Sequence, residues 1–111
     1  MFKRETRGTI DVVRGNDALI SQRLQQLSDL LEECLEQGQP RAVLDMREAP
    51  LIDSAGLELL LDAQTDFQRR GGDLKLAAVN PLCEEILSIS GVADHFEIHS
   101  DVKAALGSFV Q

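Results

Sequence analysis

The sequence predicts an α/β domain: a single-domain fold on a mainly parallel or mixed sheet of four to five strands, with about four helices. Three observations predict it. Short apolar runs of strand length alternate with longer stretches of helical period. The turns between them are brief and marked by Gly, Pro or Ser. With 111 residues there is room for one core and no second. The whole chain, 1–111, therefore reads as one domain, without internal repeat, linker or low-complexity stretch.

Phe2 to Thr6 reads as a short, ragged strand, and Thr9 to Val13 as a second that alternates and then runs apolar. From about Ala18 to Gln37, Ile20, Leu24, Leu27, Leu31 and Leu35 fall on one stripe, so a first helix is expected there. Gly38 and Pro40 close it. Ala42 to Met46 is a short apolar run of the kind buried in parallel sheets. A second helix is expected from Ala55 to about Arg70, with apolar residues at 57, 60, 61, 63 and 67. Ser54 reads as its N-cap, Glu58 being too late for a strict capping box, and Gly71-Gly72 ends it. Leu74 to Val79 gives the next strand. Pro81 opens a helix to Ser90 with Leu82, Ile86 and Leu87 inward, and Gly91 stops it. Phe96 to His99 is the last strand, and Ser100 caps a final helix holding Val102, Ala105, Leu106 and Phe109.

Composition narrows the function classes. Apolar content is 43%, with four Phe and no Trp or Tyr, so the core must be mostly Leu, Ile, Val and Ala. No apolar run approaches the ~18 residues of a membrane span, and the opening Met-Phe-Lys-Arg-Glu-Thr-Arg lacks the apolar stretch of a signal peptide. No membrane partner and a cytoplasmic location are expected. A net charge of −8 argues against direct contact with nucleic acid, which clustered Lys and Arg bind. The densest basic pair, Arg69-Arg70, sits at a helix end, where cations complement the dipole. Cys34 and Cys83 lack Cys-x-x-Cys spacing and read as reduced core residues.

The functional signal lies in Leu51-Ile-Asp-Ser-Ala-Gly-Leu57, which places a serine where a helix begins, beyond the carboxyl end of strand 42–46. In parallel sheets that edge is where ligands and partners are met. Free backbone N–H groups at a helix start favour a phosphate, which makes Ser54 a candidate switch. Gly56 is expected to permit close packing of the first helical turn.

Asp53-Ser54-Ala55-Gly56-Leu57 follows Ala49-Pro-Leu-Ile52 and the strand Ala42-Val-Leu-Asp-Met46. Further on come Gly71-Gly-Asp-Leu-Lys-Leu-Ala77, then Leu87-Ser-Ile-Ser-Gly-Val92 and Phe96. In order and spacing these blocks, from about 40 to 106, resemble the STAS domain, a family that includes the bacterial anti-sigma-factor antagonists. Before residue 40 the chain departs from the family: many members carry Gly-x-Leu-Asp after the second strand, and here it reads Gly15-Asn-Asp-Ala-Leu19.

The resemblance implies that Ser54 is phosphorylated by a serine kinase that doubles as an anti-sigma factor, and reset by a serine phosphatase. It also implies a partner-binding surface on Asp53, Ser54, Ala55, Gly56, Leu57 and Glu58 together with Asn16 and Asp17. No cofactor, metal or catalytic residue is implied. A second reading from the same family is a non-enzymatic accessory subunit of a transport ATPase, in which the serine is structural, or another signalling scaffold.

An enzyme is the least supported class. Gly71-Gly72 follows no strand and precedes no Gly-Lys-Ser, so it is a helix stop and not a phosphate loop. The segment around Ser54 is not the Gly-x-Ser-x-Gly of a hydrolase elbow. His95, Glu97, His99 and Asp101 alternate as metal ligands on a strand would, although the solvated face of a strand accounts for them more simply.

Overall fold

In the computed structural model, which describes residues 1–110, the chain opens with a β-hairpin. Strands β1 (Phe2–Arg7) and β2 (Ile10–Gly15) pair antiparallel, Phe2 opposite Gly15 and Arg7 opposite Ile10. Strands β3 (Arg41–Asp45), β4 (Asp73–Ala77) and β5 (Ile98–His99) then add in parallel, so the sheet order β1-β2-β3-β4-β5 is the chain order. Each parallel step is made through a helix: α1 (Gln25–Cys34), α2 (Ser54–Arg69) and α3 (Pro81–Ile89). A last helix, α4 (Val102–Phe109), follows β5.

Crossovers of one hand that always advance in one direction put their helices on one face of a sheet. The larger core is accordingly built from Leu27, Leu31 and Cys34 of α1, Leu60, Ala63 and Phe67 of α2, and Cys83 and Leu87 of α3. They pack on Val13, Ala42, Leu44, Leu74 and Leu76 of the strands. On the other face Val12, Val43 and Ala77 are covered by Val102 and Ala105 of α4. The alternation of adjacent residues between the two faces is the period-2 rule of a strand.

Several elements differ from expectation. Residues 18–20 do not join the first helix. Leu19, 1% exposed, is drawn into a parallel bridge with Ile52, and only a 3-10 turn (Ser21–Arg23) separates this segment from α1. Burial of Leu19 thus outweighs helical propensity, and Ile20 leaves the stripe. The helix also ends early, at Cys34. Strand β4 stops at Ala77 because Ala78 takes a positive φ of 57°, outside the β region.

On α3, Asn80 caps the helix by accepting from Cys83 N at 2.8 Å, and Pro81 follows at the first turn. That register turns Cys83 and Leu87 inward and leaves Leu82 52% exposed, the reverse of its expected place. Asp101, not Ser100, caps α4, its Oδ1 accepting from Ala104 N at 2.8 Å. Residues Val92–His95 form a 3-10 turn, which shortens the last strand to two residues.

Buried polar groups are matched. Gln64 of α2, 3% exposed, donates from Nε2 to Asp73 Oδ1 and His95 O, both at 2.8 Å, and accepts from Leu74 N at 2.9 Å. Asp11 accepts from Thr6 Oγ1 at 2.9 Å and Gln37 Nε2 at 2.8 Å. Burial, reinforced by the neighbouring Asp11 carboxylate, pushes the Cys34 thiol up to about 12. Cys83 is likewise raised by burial. Both are inert core thiols in this setting.

Candidate functional site

The site begins with the loop that leaves β3. Its end is zipped to the loop that leaves β2: Leu19 N donates to Leu51 O at 2.9 Å, and Asp53 N donates to Leu19 O at 3.1 Å. These bonds hold residue 53 extended, with φ −98° and ψ −177°, the conformation of an N-cap. Asp53 is therefore the cap of α2, and the expected role of Ser54 is corrected. Asp53 Oδ1 accepts from Gly56 N at 2.9 Å, while Oδ2 accepts from Ser21 N at 3.0 Å. Those two backbone donors, Gly56 first, hold the Asp53 carboxyl below its usual range.

Ser54 is the first residue of the helix, exposed, and its hydroxyl is not committed to the cap. Glu58, one turn on, is exposed too, whereas Ala55 and Leu57 are half-buried. Gly56 is buried. A Cβ there would stand 2.2 Å from Leu19 O and 2.9 Å from Ile52 Cγ2, so its hydrogen is what lets the loop from β2 lie against the helix. The packing expected of it is observed.

The zipper also brings the 16–20 segment to the same edge. Asn16 is exposed, and Asp17 is half-exposed with Arg23 Nη1 at 3.6 Å. Two exposed apolar side chains at this end were not expected from the sequence. Leu51, three residues before Ser54, is 43% exposed. The start of α3 is tied to the loop by Asn80 Nδ2, which donates to Ala49 O at 3.0 Å, and this brings exposed Leu82 to the same end of the molecule. Leu51 and Ile52 are adjacent apolar residues in the loop, and nothing local tells which of the two is buried. For Leu82 the helical period pointed the wrong way.

The sheet order never reverses from β2 to β5, so the carboxyl edge has no crevice between oppositely wound halves. Two small cavities lie at that edge: one of about 180 Å³ is lined by Arg14, Asp45, Arg47 and Glu48 beside Gly15, and one of about 280 Å³ shares Arg14, Gly15 and Glu48 and adds Met1, Lys3 and Asn16. Such an edge suits the surface of another macromolecule better than a drug-sized ligand, which fills roughly 300–1,000 Å³.

The alternating His95, Glu97, His99 and Asp101 are separated in role. His99 Nε2 lies 3.1 Å from Glu97 Oε1, and Lys75 Nζ is 3.1 Å from the same oxygen. The Glu97 carboxyl is held below its usual range by Lys75 first and His99 second. Asp101 caps α4. Among the described residues no three His, Cys, Asp or Glu side chains are grouped as metal ligands. His99 is engaged with Glu97 and not with the loop that carries Ser54.

The STAS domain model matches residues 2–105, so the likeness extends well before residue 40. The chain belongs to the STAS domain family. A Bordetella bronchiseptica protein, BtrV, described as a candidate anti-sigma factor antagonist, is 30% identical over 89 residues, 80% of this chain and 77% of that one. The crystal structure of a candidate anti-sigma factor antagonist from Thermotoga maritima superposes with a TM-score of 0.91 at 18% identity, covering 99% of this chain and 95% of that chain. The Bacillus cell fate determinant SpoIIAA, in its phosphorylated form, superposes with a TM-score of 0.75 at 17% identity, over 98% of this chain and 99% of that one. These two structures share the fold.

Proposed function

We propose that the chain is a non-enzymatic anti-sigma-factor antagonist that works by partner switching, with Ser54 as the switch. The unmodified surface, comprising Ser54, the exposed parts of Asp53, Ala55, Leu57 and Glu58, and the loop of Asn16 and Asp17, docks on an anti-sigma factor. Docking frees the sigma factor. The anti-sigma factor, itself a serine kinase, transfers phosphate to Ser54 and the complex ends; a serine phosphatase resets it. Family membership and BtrV's description support the class.

The observation that carries the switch is the division of labour between Asp53 and Ser54. Asp53 supplies the cap, so the Ser54 hydroxyl is exposed and a phosphate placed on it costs no capping hydrogen bond. Phosphorylation adds about −1.5 to −2 charges. The helix start offsets this by ~0.3–1 kcal/mol, while the carboxylates of Asp53 and Glu58 oppose it, and the fold is retained. Burying the same phosphate unpaired in an interface costs several kcal/mol. At ~1.4 kcal/mol per tenfold, affinity falls ~100- to 1,000-fold without a large conformational change.

Ser54→Ala is expected to bind the anti-sigma factor as the unmodified chain does, and Ser54→Asp or the phosphorylated chain to bind ~100- to 1,000-fold more weakly. Equal affinity of all three forms in a titration overturns the proposal. Affinity purification that yields an ATPase subunit in place of a kinase-like protein favours the transport-subunit reading.

A further inference from the structure

Helix α1 packs over the hairpin and α2 over β4, and a groove of about 200 Å³ runs between the two helices. Its apolar lining is uneven in depth. Leu31 and Phe67 are buried, at 3% and 0% exposure, whereas Leu35 and Leu59 are only half-buried and line its sides. Arg70 of the α2 terminus closes one end by donating from Nη1 to Leu35 O at 2.6 Å.

The rim is acidic on both sides. Glu32 projects from α1, and Asp62 and Asp66 lie one turn apart on α2. Arg69 Nη1 approaches Asp66 at 3.7 Å, but among the described residues neither Glu32 nor Asp62 has a cationic partner within 4.0 Å. Glu32 and Asp62, one from each helix, thus line the groove without an ion-pair partner, while Arg69 and Arg70 stand at its one end beside Asp66.

We propose that this groove docks a basic amphipathic helical segment of a partner protein, with one large apolar side chain between Leu35 and Leu59 and Lys or Arg side chains on Glu32 and Asp62. The volume fits: a cavity of about 150 Å³ accepts a benzene ring, so about 200 Å³ holds one leucine- or phenylalanine-sized side chain. The mode is helix in groove, anchored at helical spacing, with charge supplying steering and orientation. The groove uses the 59, 62, 63 and 66 face of α2, beginning more than a turn beyond Ser54, so docking there is independent of the switch.

The test uses the isotope-labelled full chain and a short Leu/Lys amphipathic helical peptide as probe. Amide shifts on titration are expected at Leu31, Leu35, Leu59 and Ala63. Glu32→Gln with Asp62→Asn is expected to weaken binding at least tenfold, about 1.4 kcal/mol. Glu84→Gln with Glu85→Gln on α3 removes the same charge and is expected to leave binding unchanged. Ala63→Leu, which fills the groove without altering charge, is expected to abolish the shifts. A Leu/Glu peptide that binds equally well, shifts spread over the whole acidic surface, or equal weakening by the two charge-removing pairs overturns the proposal. Ser54→Asp is expected to leave peptide binding unaltered, so loss of the groove site and loss of the Ser54 switch are separate results.

Discussion

Gly56 and Asp53 carry opposite kinds of constraint on the same turn. Alanine at an exposed helical glycine would gain about 1 kcal/mol of propensity. At position 56 the added methyl meets the Leu19 carbonyl, a backbone group that cannot swing aside. Overpacking of that sort costs about 1–3 kcal/mol, so Gly56→Ala is expected to lower stability in thermal denaturation despite better propensity. For Asp53 the constraint is electrostatic. Its folded carboxyl is held below the ordinary value by the Gly56 and Ser21 amides. Its contribution is therefore present above the unfolded pKa of about 3.9 and lost as pH falls through the depressed folded value. Asp53→Asn is expected to lessen the acid sensitivity of stability below about pH 4, while remaining folded at neutral pH because Asn also caps. A set of denaturant melts from neutral to acid pH reads this directly.

At the scale of elements, α2 is fastened to its neighbours at the start and in the middle of its buried face. The N-terminal end is held by the Leu19–Ile52 bridge and the Asp53 cap, the middle by Gln64. Gln64 sits between Leu60 and Phe67 on the apolar stripe, and a polar residue on such a stripe signals a buried polar contact. Its partners, Leu74 N and His95 O, lie ten and thirty-one residues away. Gln64→Leu is expected to destabilise by about 1–3 kcal/mol for each backbone group it strands, more than the apolar gain returns. Chemical denaturation with an unchanged m-value is the check. The stripe of α2 was readable because one helix face meets one sheet face. Residues 18–20 carry the same stripe, yet their backbone is taken by a loop more than thirty residues on.

For the whole molecule the sheet has two unequal faces, three helices on one and α4 alone on the other. Lys75 stands at the seam of that second face, 4% exposed, with Nζ donating to Ser108 Oγ at 2.6 Å and lying 4.1 Å from the centre of the Phe109 ring. Glu97, 57% exposed, is its ionic partner. Removing the exposed partner leaves a buried ammonium uncompensated, whereas removing the ammonium leaves a carboxylate that water solvates. Glu97→Ala is thus expected to destabilise more than Lys75→Met, which stays within about 1 kcal/mol of the parent or rises. The reverse order in denaturant melts would show that Lys75 and not Glu97 holds α4 in place.

The sequence by itself determined the α/β class, the order of elements, the STAS resemblance and the start of a helix within 53–58, because these rest on local period, turn chemistry and linear spacing. Asp53 was in that segment, but its capping role was not readable: Asp and Ser are equally good caps, and the choice between 53 and 54 depends on which residue the Leu19 carbonyl holds extended. Tertiary structure decided that choice. It also decided the shortening of α1, the outward turn of Leu82 and the burial of Gln64 and Lys75. Each depends on a contact between residues distant in sequence, and a periodicity carries no information about what lies across from it.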